Sequence, residues 1–436
     1  QLRAQHPKAC PGLVRQSRII LIGDDRDQPI QSSAPDGCGD AELGHVRAQG
    51  IADLRALAGQ DLAHPVQHHG RLLVRRLRAD EPHRRPGHRL TDRLGIGRVV
   101  LASLATEPVR CHELRRNDAH LVPELLELQK QTGRSFLYEA SSCASIPVIR
   151  NLEEYYDNDL LHSIQAIVNG STNYILTKMF EEKLDFKQAL LQAQQLGFAE
   201  ADPTLDVDGW DAVNKWVILL LHAYGIVSHP NDILFTGIQN IQGSDASVGR
   251  EKNLEIRLVG QAKKLQNGKV AAFVLPQFVK HDDHLSFVKN EYNGAVVESS
   301  FSDKQFFYGK GAGSFPTASA VLSDISALRY DYKYEYKKLY YHQPNELTND
   351  YYLKVYLSFD DWNYIPKDKF EWIEEWHAES DRKYLVGVLH ATELKENNWW
   401  RENGTSLILS PEPIIEDVEV RKLKKKSLEL AGLNFN

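Results

Sequence analysis

No phenylalanine, tyrosine or tryptophan occurs before Phe136, although the 436-residue chain carries 15 Phe, 18 Tyr and 7 Trp. A segment of that length without large rings has few side chains with which to fill a core, so burial offsets only part of its ordering entropy. Lysine is scarce in the same place: residues 1–120 hold 18 Arg but a single Lys, Lys8, together with nine of the 17 His. Against 14 acids this gives a net charge of +5, which leaves −12 on the remainder and −7 on the whole. Methionine occurs once, at Met179, and cysteine four times, at Cys10, Cys38, Cys111 and Cys143. These cysteines show neither metal-ligand spacing nor a disulfide framework, which suits a reducing compartment. No apolar run reaches 18 residues and no charged-then-apolar leader opens the chain, so a cytoplasmic protein without a membrane span is expected.

What the chain has in abundance is acid. Between Gly197 and Lys215 five carboxylates, Glu200, Asp202, Asp206, Asp208 and Asp211, crowd a loop that feeds a helix. Asp208 is placed to cap that helix, with Asp211 at the capping-box position and the apolar run Val217 to Leu221 burying its far end. Asp211 and Lys215, four apart, share one helical face. An exposed ion pair of this kind contributes little and needs no function. Three further acids converge on the same helix start, however, and their mutual repulsion costs stability unless a cationic partner or a ligand ammonium sits among them.

This segment resembles the signature of homoserine dehydrogenases, and so do three others. Tyr138-Glu139-Ala140 through Ile146-Pro147 resembles the family's Glu-Ala…Ile-Pro turn, and Asn169-Gly170-Ser171-Thr172-Asn173 its Asn-Gly-Thr-Thr-Asn segment. Gly311-Ala312-Gly313-Ser314-Phe315-Pro316-Thr317-Ala318 resembles its closing element. The match covers about residues 120–330. It implies reduction of L-aspartate 4-semialdehyde to L-homoserine with NADPH or NADH, in the synthesis of threonine, isoleucine and methionine. By the resemblance Lys215 is the proton donor, Glu200 holds the substrate ammonium, and Asp206 and Asp211 grip the substrate and align the lysine. Ser171, where the family has threonine, donates to a substrate oxygen. Asp202, before Pro203, shapes the turn. A lysine crowded by acids keeps its proton, while desolvation is expected to pull its pKa down toward the working range.

The resemblance further implies a sodium or potassium site at Glu139 with the backbone carbonyls of Ser142, Ala144 and Ile146, since hard cations prefer oxygen. Here Ser142-Cys143-Ala144-Ser145 replaces the family's glycine pattern, so a positive φ at Ala144 would be strained. Cys143 is a packed residue, with no His base beside it. Gly311 and Gly313 are expected against the cofactor, and a tight loop before a helix explains them equally well. A homodimer through the substrate-domain sheet is implied.

Residues 1–118 depart from this pattern. A Rossmann-type domain opens on a strand, a Gly-x-Gly-x-x-Gly turn and a helix that hold the pyrophosphate. The nearest candidates, Arg18 to Asp25 and Leu94 to Val100, lack that fingerprint, and the family's Asn-Lys dipeptide is replaced by Asn117-Asp118. The compositional break predicts an out-of-frame, antisense or chimeric segment joined to a genuine one near residues 115–120. A chain that opens on Gln1 fits the same expectation. A divergent nucleotide domain is one alternative, and a nucleic-acid-binding arm is another. The cluster Arg71 to Arg78 with Arg84, Arg85 and Arg89 suits phosphates, yet no aromatic is interleaved for base stacking. The functional alternative is an inactive oligomerising remnant or chimeric chain lacking a working nucleotide site.

The fold expected is α/β in three parts. Residues 1–135 occupy the place of the NAD(P)-binding domain, 136–330 form the catalytic and dimerisation domain, and 331–436 form a small α+β extension. In the second part Asp185 to Leu196 reads as a helix ended by Gly197. Val270 to Val279, Leu285 to Val288 and Ala295 to Glu298 read as strands, and Pro316 to Ile325 as a helix. In the third, Tyr351 to Phe359 reads as a strand and Lys367 to Glu379 as a helix with Phe370, Ile373 and Trp376 inward. Tyr384 to Thr392 and Ser406 to Leu409 follow as strands. This β-α-β-β order resembles part of an ACT module, with threonine feedback as one role and a plain structural extension as the other.

Overall fold

The computed structural model describes residues 121–157, 160–378 and 383–420. The expectations for residues 1–118, including the candidate glycine turns and the arginine cluster, lie outside them. Helix α1 (Leu121–Thr132) leads to two short helices, α2 (Ala140–Cys143) and α3 (Val148–Arg150). Strand β1 (Leu161–Ile167), helix α4 (Gly170–Glu181) and helix α5 (Phe186–Gln195) follow. Two caps set these helices. The Asn169 side chain accepts the backbone N–H of Thr172 at 2.8 Å to start α4. Asp185 and Gln188 form a reciprocal capping box on α5, and Gly197 stops the chain with φ +76°.

The acidic loop then folds into helix α6 (Thr204–Val207) and turns into α7 (Trp210–Tyr224). Asp208 does not cap α7. The residue before the helix is Gly209 at φ +85°, where a Cβ would lie 2.9 Å from the Thr236 carbonyl, so a left-handed turn with no side-chain cap replaces the expected capping box. The run behind it behaves as predicted, with Leu219, Leu220 and Leu221 buried together with Trp216.

Strand β2 (Leu234–Phe235), helix α8 (Gly243–Glu251) and the long strands β3 (Leu254–Lys264) and β4 (Val270–Lys280) come next. They are followed by β5 (Tyr292–Ser299), β6 (Asp303–Lys310) and helix α9 (Ser314–Leu328). The C-terminal part supplies β7 (Leu347–Thr348), β8 (Tyr352–Phe359), β9 (Phe370–His377) and β10 (Lys383–His390). Helix α10 (Ala391–Glu396) and β11 (Ser406–Ile415) complete it. The eleven strands of the described residues belong to one sheet, ordered β6-β5-β1-β3-β4-β11-β8-β10-β9, with β2 and β7 also paired to β4. Strand β4 sits in the middle and is buried on both faces. Val270, Ala272, Val274 and Phe278 meet the core that contains Trp216, while Ala271, Phe273 and Leu275 meet the core built by Leu353, Val355, Leu357 and Leu409. The period of two sends alternate side chains to the two layers.

Two expected elements are corrected. Leu285 to Val288 is not a strand but part of a 3₁₀ turn, His284–Phe287, because the Asp283 carboxylate takes the N–H of Leu285 at 2.8 Å. Lys367 to Glu379 is not a helix: a 3₁₀ turn over Lys367–Lys369 enters β9, which pairs with β10. Its three-residue apolar spacing comes from register shifts. Phe370, Ile373 and Trp376 lie opposite Leu389, Gly387 and Leu385, three alternate positions of one face, because β9 bulges twice against its partner. The β-α-β-β order is accordingly absent, and the segment runs β-β-β-α-β inside the main sheet. No helix among the described residues is long and apolar enough to cross a membrane.

Candidate active site

Four segments meet where β1 ends. Val168 and Asn169 leave the strand, Ser171 begins α4, Asp206 lies in α6, and Asp211 and Lys215 occupy successive turns of α7. The Lys215 Nζ stands 2.8 Å from Asp211 Oδ2 and donates to the Val168 carbonyl at 3.1 Å. The Asn169 amide donates at 2.7 Å to Asp206 Oδ1 and at 2.7 Å to Asp211 Oδ2, tying the two carboxylates together. The Ser171 hydroxyl donates to the Phe198 carbonyl at 2.5 Å. Sequence reasoning gave Asn169 no part in the site. Its signal was present, because an Asn before a helix whose Oδ1 caps Thr172 has its amide left to point elsewhere.

The electrostatics follow from that packing. Burial and the neighbouring Asp211 charge push Asp206 up to about 6, against the hydrogen bond from Asn169 and the Lys215 charge. Burial opposes the Lys215 ammonium, but Asp211, by charge and hydrogen bond, and Asp206 more than offset it, so the lysine sits above its ordinary range. The expected downward pull of desolvation is thus overcome by the paired acids. Burial pushes the Cys143 thiol up to about 12, which makes it a packed residue and no nucleophile.

Three of the five acids take no part in this pairing. Asp208 ends α6. Glu200 is exposed, and among the described residues its carboxylate makes no hydrogen bond or ion pair, while its backbone carbonyl accepts from Gln194 at 3.0 Å. Asp202 takes the Thr204 N–H at 3.2 Å and its hydroxyl at 2.6 Å, the turn-shaping contact its place before Pro203 suggests.

The four sequence motifs resemble those of one family, and comparison with known proteins bears out that family. Residues 147–326 match the family model for homoserine dehydrogenase. A homoserine dehydrogenase from Bacillus subtilis is 40% identical over 205 residues, 47% of each chain. The homoserine dehydrogenase of Methanocaldococcus jannaschii is 36% identical over 241 residues, which cover 52% of this chain and 70% of that protein. The chain belongs to the homoserine dehydrogenase family. It nevertheless spans about half the length of the bacterial homoserine dehydrogenases it matches. A homoserine dehydrogenase crystal structure from Thiobacillus denitrificans shares the fold. Its TM-score is 0.55 at 23% identity over 67% of this chain and 75% of that one.

The remaining family positions are placed as follows. Both oxygens of Glu139 accept backbone N–H groups, from Ile149 and Arg150, each at 2.9 Å. Burial raises this carboxyl to about 7, with Asp324 adding to the rise. Ala144 takes φ +43°, the strained conformation expected where glycine was replaced, and the Ile146 carbonyl accepts from Val148 at 2.7 Å. Gly311 lies against Asn293, leaving no room for a side chain. Gly313, at φ +109°, opens α9, whose first turn has no side-chain cap. Among the described residues no three His, Cys, Asp or Glu side chains gather as a metal cluster.

Proposed function

We propose that this chain interconverts L-aspartate 4-semialdehyde and L-homoserine with NADP or NAD, using Lys215 as the acid/base group and Asp206 and Asp211 as substrate and lysine anchors. The observation that carries this is the Lys215–Asp211 pair locked to Asp206 through Asn169. In the reducing direction Lys215 Nζ supplies the proton taken up by the aldehyde oxygen as the carbon becomes an alcohol, and in the oxidising direction it receives that proton. Asp211 keeps the ammonium charged and aimed. Glu200, whose carboxylate is exposed and has no partner among the described residues, is available to meet the substrate ammonium. Ser171, beside Asp206, would turn its hydroxyl from the Phe198 carbonyl to a substrate oxygen.

The nicotinamide supplies or accepts the hydride when bound. Among the described residues, Gly311 and Gly313 fit a dinucleotide: they precede an α-helix whose first-turn N–H groups carry no side-chain cap, a setting suited to anionic or carbonyl groups. A monovalent cation at Glu139, Ser142, Ala144 and Ile146 would draw the elevated Glu139 carboxyl back down. The proposal includes a homodimer, a cytoplasmic place in threonine, isoleucine and methionine synthesis, and the division into residues 1–135, 136–330 and 331–436. It rests for these on family membership. The test is NADP- and NAD-dependent oxidation of L-homoserine by the full chain, with and without potassium, alongside its mass in solution. Turnover that depends on L-homoserine supports the assignment, and its absence at millimolar cofactor and substrate refutes it.

A further inference from the structure

At the edge of the acidic segment, a cavity of about 280 Å³ opens between the start of α7, the turn before β2 and the segment after α10. Its polar side is built by Lys395, Asn398 and Arg401, and its apolar side by Trp210, Ile233 and Phe235. Trp210 and Phe235 meet edge-to-face at 4.7 Å. The volume is close to the lower end of small-molecule sites, and an apolar wall facing a few convergent polar groups is their usual make-up.

The cations in it are unusual. Lys395 Nζ donates to the Asn231 carbonyl at 2.5 Å and to the Ile233 carbonyl at 2.9 Å, which leaves one N–H. Arg401 gives one terminal nitrogen to the Phe235 carbonyl at 2.6 Å and rests its guanidinium over Trp400 at 4.2 Å, which leaves the rest of its fork. Carbonyls satisfy hydrogen bonds but neutralise no charge, and among the described residues no carboxylate lies within ion-pair distance of either group. Burial lowers both; at Lys395 the Asp232 carboxylate offsets part of that fall, and the smaller effect of the Arg401 charge adds to it. Two like charges placed together and partly desolvated are unfavourable until an anion joins them.

Arg401 also lines an adjoining void of about 20 Å³ with Thr405 and Ser406. The two hydroxyls, 1% and 0% exposed residues, have no hydrogen-bond partner among the described residues. Buried hydroxyls without partners are rare, and here they line the same void as Arg401.

We propose that this cavity binds a small organic carboxylate, its anionic end held by Lys395 and Arg401 with Thr405 and Ser406 close by, and its short apolar chain against Trp210, Ile233 and Phe235. The apolar wall favours such a ligand over inorganic phosphate, which has no apolar part to bury. The site is separate from Lys215 and its acids and does not depend on the reaction assigned to them.

Calorimetric titration of the full chain with sodium butyrate at constant ionic strength tests it. Saturable binding is expected, weakened about tenfold or more in Arg401→Gln and in Asn398→Asp, and unchanged in Lys215→Ala. Asn398 is exposed, so Asn398→Asp places a negative charge in the cavity without disturbing the core, which thermal unfolding verifies. Absence of saturable butyrate binding, or equal binding by Asn398→Asp, overturns the proposal. Inorganic phosphate that binds as tightly as butyrate overturns its assignment to an organic carboxylate.

Discussion

Lys215 Nζ and Asp211 Oδ2 stand 2.8 Å apart on successive turns of one helix, and Asp211 is itself held by the Asn169 amide. The pair is no ordinary surface bridge, because Asp206 is drawn to the same amide and raised by burial and by the Asp211 charge. Asp211→Asn removes the largest influence holding the lysine's proton. It should lower turnover by about 10- to 100-fold and shift the alkaline limb of the rate profile to lower pH, as rate measurements between pH 6 and 11 would show. An unmoved limb would mean that Lys215 is not the titrating group.

Asp206 stores unfavourable free energy in the ligand-free chain. Its folded pKa of about 6 lies above the ordinary 3.8, so the folded state holds a proton that the unfolded state has released between those values. Stability is therefore fullest below about pH 4, declines as pH rises toward 6, and carries the whole penalty above that. Asp206→Asn should raise stability at pH 8 by on the order of 1–3 kcal/mol and flatten the decline, measured by denaturant unfolding at several pH values. The same change should weaken L-homoserine binding.

Glu200→Ala removes a side chain that makes no bond in the described structure. Its unfolding free energy should stay within about 0.5 kcal/mol of the parent, while the Michaelis constant for L-homoserine rises about tenfold or more. A lowered kcat with an unchanged Michaelis constant would take the ammonium contact away from Glu200.

The C-terminal strands share β4 with the substrate domain, and Leu357 packs with Phe273 and Leu275 in one core. Leu357→Ala should cost about 2–5 kcal/mol. Unfolding should remain one transition by every probe. Two separated transitions would show that residues beyond 331 fold as an independent module.

Much of the site was legible because its chemistry is local. Asp211 and Lys215 are one helical turn apart, the Asp185 to Gly197 helix carries its own cap and stop, and Ala144 was marked as a strained substitution. Asn169 was missed as a site member because its partners, Asp206 and Asp211, lie 37 and 42 residues away. The cap on α7 was misplaced because Asp208 satisfies the local pattern, while close approach of Thr236 demands Gly209 instead. Strand β9 imitated a helix because two bulges against β10 turn a period of two into a spacing of three. In the first two cases the deciding partner is tens of residues away, and in the third it is the pairing with the next strand, so the pattern of the segment alone carries no record of it.

The most direct test of the assignment is the initial rate of L-homoserine oxidation with NADP by the full chain and by its Lys215→Ala variant, with folding of both verified by thermal unfolding. The account predicts measurable turnover in the parent and a loss of about 100-fold or more in kcat for Lys215→Ala, with a smaller change in the Michaelis constant. A Lys215→Ala chain that turns over at the parental rate, or a folded parent with no L-homoserine-dependent rate, would contradict it.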